Sequence, residues 1–540
     1  MKSVINKYKR IIVPAMVLAL GIVSCRKDEV GSNELVRMFM PGDISVVSGD
    51  TIATLSWKAS LYTTGTDVSY TIELSRDSLF AGTPELSQVT QSTQITVTDR
   101  QLAVRQKYYA RLKANAIGNS DESKWLHSSG MTPIKGEQYL RPILDGELTD
   151  NKVTLRWVVN PGFTKITLTP GTGSPITVNL DATDIAAGKK TISGLSPKTT
   201  YDAAIFLGPA QKGYLTFTTF AGTPTGANVV MVQPTDDLAT MLATSVATGT
   251  IFVLQQGTKY TNDGTIKLPD NASFTIWGQP GPVKPILAFN LVTLPVNGGG
   301  IIKFENLDIT GYQNADPALT KRAYFFNQGA SSTTAEINFE NCTIRNMANS
   351  PLRLQGNLNT IVINIEKVIV NKCIVYDIGW PGGSYAFIHN TAVAGKYNNI
   401  VVTNNTFYNI GYGLIVHNTL APASVQVDNN TFYNVTGDAH YMFDFKALVI
   451  PNFSFINNVV GKTASAAGTA KGVQSGTPPT VGNNTYKTTD CIFASSPIAN
   501  VADYGKASTD LFVDPAAANF IFKDVNFLGR STSGDPRWRY

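Results

Sequence analysis

Residues 404–420 read "NNTFYNIGYGLIVHNTL", and residues 429–445 read "NNTFYNVTGDAHYMFDF". The hexapeptide NNTFYN starts at Asn404 and again at Asn429, and each copy runs into a short apolar stretch carrying one or two polar residues. Related stretches lie on either side. "ENLDITG" begins at Glu305, "ENCTIRN" at Glu340, "NKCIVYD" at Asn371, "NNVV" at Asn457 and "NNTY" at Asn483, about 25 to 35 residues apart. Most are preceded by alternating apolar residues: Ile302/Phe304, Ile337/Phe339, Ile400/Val402, Val425/Val427 and Phe453/Phe455. A strand, a two-residue polar corner and another strand, repeated at a near-constant period, describe one rung of a solenoid. Stacked rungs form parallel sheets with strands about 4.8 Å apart.

The corner explains the asparagines. A sharp bend between two strands puts one residue in the left-handed region, which Asn and Asp tolerate better than other residues with a side chain. Inward-facing amides stacked rung on rung can hydrogen-bond along the axis and so satisfy each other inside the coil. The inward corner column is expected to read Leu307, Cys342, Cys373, Asn405, Asn430, Asn458, Asn484, beside a core column of Ile309, Ile344, Val375, Phe407, Phe432 and Val460. These asparagines are structural, and the two cysteines are stacked core thiols, neither ligands nor nucleophiles.

The chain has 540 residues and a net charge of +5. Charged residues make up only 15%, which suits an all-β extracellular protein rich in turns. No basic run outside the first residues and no stacking-plus-basic motif points to nucleic acid. Three cysteines follow Cys25, an odd number at no metal-site spacing, so no disulfide framework or metal site is expected. No cofactor is expected either. Lys2, Lys7, Lys9 and Arg10 precede an apolar stretch, Ile11 to Val23, that is too short to span a bilayer as a mature helix. It ends "IVSC" and is followed by "RKDE". The first resembles a bacterial lipoprotein signal lipidated at Cys25, and the second resembles the surface-export signal of Bacteroidetes-type lipoproteins. The resemblance implies a mature chain held by lipid on the outer membrane, facing the cell surface.

Two β modules lead in. "TIATLSW" places Ala53, Leu55 and Trp57 on one face, and "YYARLKA" places Tyr108, Ala110, Leu112 and Ala114 on one face. The same grammar returns in "KVTLRW" (Val153, Leu155, Trp157) and "LSPKTTYDAAIFL" (Leu195, Tyr201, Ala203, Ile205, Leu207). A core Trp, then a Leu six residues before a Tyr that opens a strand, resembles the fibronectin type III sandwich with its tyrosine corner. Such modules serve chiefly as spacers. Farther on, "TDDLATMLATS" reads as a short helix opened by Thr235 with acids in its first turn, placed to cover the open end of the coil. The strand, "G-x-x-Y", strand and Gly-rich turn that follow resemble the first rung of the pectin-lyase-like right-handed β-helix. With the closing "SGDPRW", the assembly resembles uncharacterised β-helix lipoproteins of Bacteroidetes-type polysaccharide-utilisation systems.

The expected organisation is therefore all-β. A signal peptide (1–24) and linker (25–38) precede two fibronectin type III-like sandwiches (39–134 and 138–220). A right-handed parallel β-helix with an N-terminal capping helix (225–500) and a C-terminal cap (501–540) follow.

A third short strand recurs in each rung: "YFFNQG", "PLRLQG", "YAFIHN", "LIVHNT", "MFDFKA" and "KGVQSG". If Leu352/Leu354, Ala386/Ile388, Leu414/Val416 and Phe443/Phe445 point inward, alternation leaves two outward columns. One is Gln355, His389, His417, Lys446 and the other Arg353, Phe387, Ile415, Asp444. In pectin-lyase-like folds this face is the saccharide groove, and the loops beside it here carry Trp380, Tyr385, Tyr412, His440 and Tyr441. Aromatic faces with Arg, Lys and His suit an acidic, pectin-like glycan. The other reading is a solvated face whose charges only keep the sheet soluble. A metal-independent polysaccharide lyase would need a base, Lys446 or His417, with Arg353 on the uronate carboxylate. A hydrolase needs two facing carboxylates, and only Asp444 is offered. Binding is therefore expected over turnover, in company with neighbouring glycan-uptake proteins. The lyase is one alternative, and a structural or adhesive surface protein is the other.

Overall fold

In the computed structural model, residues 36–63, 68–244 and 247–539 are described. The expected signal peptide, Cys25 and most of the expected linker lie outside them. The chain divides into two compact units, Met1–Glu137 with Pro209–Lys212, and Gln138–Gly208 with Gly213–Tyr540.

The first unit is a β-sandwich. Ser45–Ser48, Ile52–Ser56 and Gln94–Thr98 form one antiparallel sheet, and Leu86–Thr90, Tyr70–Ser75, Tyr109–Ala114 and Leu126–His127 form the other. Alternation buries Leu55, Trp57, Tyr70, Leu112 and Tyr108 between them. The Tyr108 hydroxyl accepts from Ala103 N at 3.0 Å, five residues upstream, and closes the tyrosine corner over buried Leu102. The sandwich of the second unit repeats the device, with Ser196 N donating to the Tyr201 hydroxyl at 2.9 Å. One short helix, Ala182–Ala187, joins two of its strands, capped by Asp181.

From Val229 onward the strands stack in parallel into a solenoid of about eight turns. The six rungs between Gly299 and Gln474 have three strands each. The first sheet pairs Ile302 with Ile337, Val368, Ile400, Val425 and Phe453 in successive rungs, all buried. The second pairs Ile309 with Ile344, Val375, Phe407, Phe432 and Val460. The third pairs Phe326 with Leu352, Ile388, Ile415, Phe443 and Val473. Second and third sheets merge through the long strand Ile286–Thr293. Phe407 and Phe432 stack at 5.4 Å, fully buried, each contributing about 2–3 kcal/mol by burial.

The corners behave as their chemistry requires. Asn306, Asn341, Lys372, Asn404, Asn429 and Asn457 all have φ between 53° and 60°. Beside each, the next residue points inward. Asn405 Oδ1 accepts from Cys373 N (2.7 Å), Asn430 Oδ1 from Asn405 N (2.9 Å), and Asn458 Oδ1 from Asn430 N (2.8 Å). Their Nδ2 groups donate to Val370 O, Val402 O and Val427 O. The last expected member, Asn484, is displaced. Thr485 takes the buried position and donates to Phe455 O at 3.2 Å, leaving Asn484 half-buried.

The capping helix is Leu238–Ala243, and its N-cap is Asp237, not Thr235. The Asp237 carboxylate accepts from Thr240 N and Thr240 Oγ1, so the acid outcompetes the hydroxyl for the free N–H groups. Leu238, Ala239 and Leu242 face the coil.

The C-terminal segment does more than close the end. Leu511, Phe512, Phe520, Phe522, Phe527 and Trp538 form a separate core against Tyr408, Tyr433 and Tyr486, the outward residues of the second sheet. Trp538 Nε1 donates to Thr406 Oγ1 at 2.7 Å, and Asp535 N donates to Thr431 Oγ1 at 2.9 Å.

Candidate functional site

The third sheet carries the candidate face. Its register differs from simple alternation in one strand, and the consequences are large. Leu354 pairs with Asn390, and Asn390 with His417. His417 is thus an inward residue, fully buried, with Nε2 accepting from Tyr397 N at 3.0 Å. Burial holds its imidazole neutral, with the pKa lowered to about 4. It is a core histidine and corrects the expected outward placement. Phe387 and Ile415 are likewise core residues. A one-residue slip moves a strand's side chains to the opposite face.

Lys446 leaves the column too. It is exposed, in a left-handed turn (φ 49°) just after the strand, its N–H donating to Asp444 Oδ1. Gln355 lies in the turn after its own strand, against Gly329, with its N–H on Gln328 O. Trp380 is half-buried in the 379–383 turn and makes no ring contact to the residues below, among those described.

What remains forms one outward line: Asn327, Arg353, His389, Val416, Asp444 and Gln474, in register from rung to rung. Tyrosines entering the strands fill the spaces between. The Arg353 guanidinium lies 4.1 Å from the Tyr385 ring centre and 5.2 Å from that of Tyr324, and donates to the Tyr324 hydroxyl at 3.2 Å. The His389 ring stands edge-on to Tyr385 at 4.7 Å and to Tyr412 at 6.1 Å. Tyr412 then stacks on His440, ring centres 3.6 Å apart and planes within 20°. Farther on, Lys471 Nζ lies 5.0 Å over Tyr441, and Asp444 accepts from Asn418 Nδ2 at 3.1 Å.

The turns make this spacing possible. A Cβ on Gly411 would stand 1.9 Å from Gly379 O, and one on Gly437 would stand 2.0 Å from Gly411 O. Glycine lets three successive turns stack backbone to backbone, and these turns deliver Tyr412 and His440 one above the other. The 436–441 loop is braced by Asp438, which accepts from Thr469 Oγ1, Ala467 N and the Ser465 hydroxyl.

The electrostatics are mild. Burial and then Arg353 lower the His389 pKa to about 4. His389 Nδ1 accepts from Ala386 N at 3.2 Å, so the ring proton resides on Nε2. Burial, and then Lys471, also lowers His440. Burial raises the Tyr412 hydroxyl, with Asp444 adding to the effect. The face thus sets rings that burial keeps uncharged beside the side chains of Arg353, Lys471 and Asp444. Among the described residues no group of three or more His, Cys, Asp or Glu could hold a metal ion.

Of the sequence-predicted residues, Arg353, His389, Tyr412, His440, Tyr441 and Asp444 come together, and His417, Lys446, Gln355 and Trp380 do not. Sequence reasoning missed Tyr324, Asn327, Asn418 and Lys471. A signal was present, because four of the six strands of this sheet start at or within three residues of a tyrosine: Tyr324, Tyr385, Tyr412 and Tyr441.

Two family profiles match the solenoid, each described as a domain of unknown function: DUF4957 over residues 258–410 and DUF5123 over 425–538. No curated protein sequence matches the chain. Among solved structures, the chicken CNTN1 FN1–FN3 domains match at 13% identity, covering 35% of this chain and 69% of that one, with a TM-score of 0.17. A two-domain fibronectin type III segment of chicken tenascin matches at 16% identity, covering 33% and 99%, also with a TM-score of 0.17. At those scores the fold rests on the strand pairing and tyrosine corners described above.

Proposed function

We propose that the protein binds a complex, acidic, pectin-like polysaccharide along the third sheet of the solenoid. The carrying observation is the unbroken line Tyr324–Arg353–Tyr385–His389–Tyr412–His440, which crosses successive rungs parallel to the coil axis. Rungs recur about every 4.8 Å, close to the length of one pyranose unit, so sugars in a chain laid along the axis meet equivalent positions. Ring faces suit the C–H surfaces of sugars, Arg353 and Lys471 suit uronate carboxylates, and Asp444 and Asn418 suit hydroxyls. Sandwiches joined to a solenoid also suit a surface or binding protein. We infer that lipid on Cys25 tethers it to the outer membrane, facing outward beside glycan-uptake proteins. Loss of radiolabelled-lipid incorporation in Cys25→Ala would test that tether.

Binding fits the chemistry better than a lyase reaction. The proposed bases are a buried core histidine and a lysine beyond the strand, and His389 carries its proton on Nε2. The test is affinity electrophoresis of the mature chain in polygalacturonate, methyl-esterified pectin and neutral galactan, with ultraviolet absorbance followed for unsaturated uronates. Retardation in the acidic polymers without new absorbance is expected, weakened about tenfold in Tyr385→Ala or Arg353→Ala and unchanged in Lys446→Ala. New absorbance would establish the lyase. No retardation on any polymer would favour a structural or adhesive role.

A further inference from the structure

A recess lies on a different side of the coil. It has a volume of about 320 Å³ and opens over the second sheet, where the sandwich loop and the C-terminal segment both approach. Its lining includes Asp145 from the sandwich, Asp308, Arg345, Tyr376 and Tyr408 from the coil, and Trp538 from the C-terminal segment. Tyr376 and Tyr408 stack at 4.7 Å with planes within 6°, both half-buried. The Arg345 guanidinium grips Asp308 with two bonds of 2.8 and 2.9 Å, so these side chains are fixed before any ligand arrives.

The charges are paired. Asp308 is matched by Arg345, and Asp145 by Lys284 at 3.1 Å. Nothing in that balance selects an ion. The carboxylates still have lone pairs to offer: both protein contacts of Asp145, from Lys284 and Thr343, fall on Oδ2, and its side chain is 44% exposed. An aromatic wall, fixed carboxylate acceptors and hydroxyls of Thr343, Tyr376 and Tyr408 in a recess of this size match a neutral polyhydroxylated ring. We propose that this recess is a second carbohydrate subsite that takes one uncharged pyranose unit, with Asp145 Oδ1 accepting from a sugar hydroxyl and the Tyr376–Tyr408 wall lying against its C–H face. The inference does not rest on the groove reading. If both hold, one polymer is gripped by its acidic backbone in the groove and by a neutral branch here.

The test is saturation-transfer difference NMR on the mature chain with methyl β-galactopyranoside, methyl β-glucopyranoside and methyl α-mannopyranoside as probes. At least one probe should show transfer, reduced fivefold or more in Asp145→Asn and in Tyr376→Ala, and unchanged in Tyr385→Ala of the groove. Asp145→Asn is an isostere whose amide oxygen keeps the donors Lys284 and Thr343 and so leaves Nδ2 where Oδ1 stood, and it decides the matter if Tyr376→Ala unfolds. No transfer from any probe would overturn the proposal. So would transfer that survives Asp145→Asn, or transfer lost in Tyr385→Ala, which would assign the signal to the groove.

Discussion

Replacing Asn430 by Ala isolates the ladder at its centre. Asn430 Oδ1 accepts from Asn405 N (2.9 Å) and Asn405 Nδ2 (3.0 Å), and its Nδ2 donates to Val402 O (2.9 Å) and Asp428 O (3.0 Å). Asp428 O keeps a second donor in Asn404 N, and Asn405 Nδ2 keeps Val370 O. One buried backbone group, Asn405 N–H, loses its partner, while Val402 C=O keeps its ladder bond from the strand of Asp428. Leaving a buried polar group unmatched costs about 1–3 kcal/mol, so Asn430→Ala should lose about 1–3 kcal/mol. The control is Asn404→Gly. Asn404 holds φ at 60° and its amide bonds, among the described residues, only the partly buried Asn371 Oδ1, and Gly adopts that φ freely. Its loss should stay below about 1 kcal/mol. The assay is urea unfolding of the protein, with hydrogen exchange at the Asn405 amide as a local readout, because solenoids need not unfold in one step. An Asn430→Ala loss under about 1 kcal/mol with unchanged exchange would refute the view that the ladder satisfies the corner backbone.

Other outcomes follow from the same geometry. Gly411→Ala should collapse the Tyr412–His440 stack, because its Cβ would meet Gly379 O, and a loss of glycan retardation at least as large as that of Tyr412→Ala would register it. His389 and His417 have folded pKa values of about 4 against an unfolded value near 6.5, so the unfolded chain takes up protons first as pH falls. Stability should be full above about pH 6.5 and fall progressively towards pH 4, by up to about 3 kcal/mol per histidine, with a shallower fall in His389→Gln; urea midpoints across that range measure it. Thr406→Val should remove the partner of Trp538 Nε1 and of buried Asp535, loosening the C-terminal segment by about 2 kcal/mol and exposing it to limited proteolysis.

The corners were legible in the sequence because their demand is local. A left-handed residue and an inward hydrogen-bonding side chain must be adjacent, and the spacing of such pairs sets the rungs. The last copy misled because Thr485 satisfies Phe455 O through a shorter side chain and shifts the inward position by one. The third sheet was harder to read for a different reason. Residues 386–390 and 413–417 are all buried, so the alternation that fixes register is absent there and His417 can be assigned to either face. The pairing of Ile388 with Ile415 decides it, and that pairing depends on where the neighbouring rung sits, not on the strand itself. Tyr324 and Lys471 were missed for the same reason, since their place in the line is a matter of stacking.

The exact repetition of NNTFYN now has a cause that a corner alone does not provide. Rungs with other letters at these positions, such as "NKCIVYD", keep the left-handed corner and the buried column. The Asn404 and Asn429 copies meet two further demands at once. Their first Asn is left-handed, their second belongs to the ladder, and their Phe fills the core. Their Thr residues receive hydrogen bonds from Trp538 and Asp535, and Tyr408 and Tyr433 both lie 5.8 Å from Phe520. The final Asn pair bonds across the second corner, Asn434 Nδ2 to Asn409 Oδ1 at 2.8 Å. Most positions are thus constrained from inside the coil or from the segment laid across it, and the corner asparagines by the corner of the neighbouring rung. Only these two rungs supply both a ladder amide and a threonine to that segment among the described contacts, so the identical hexapeptide marks where the C-terminal segment crosses the solenoid.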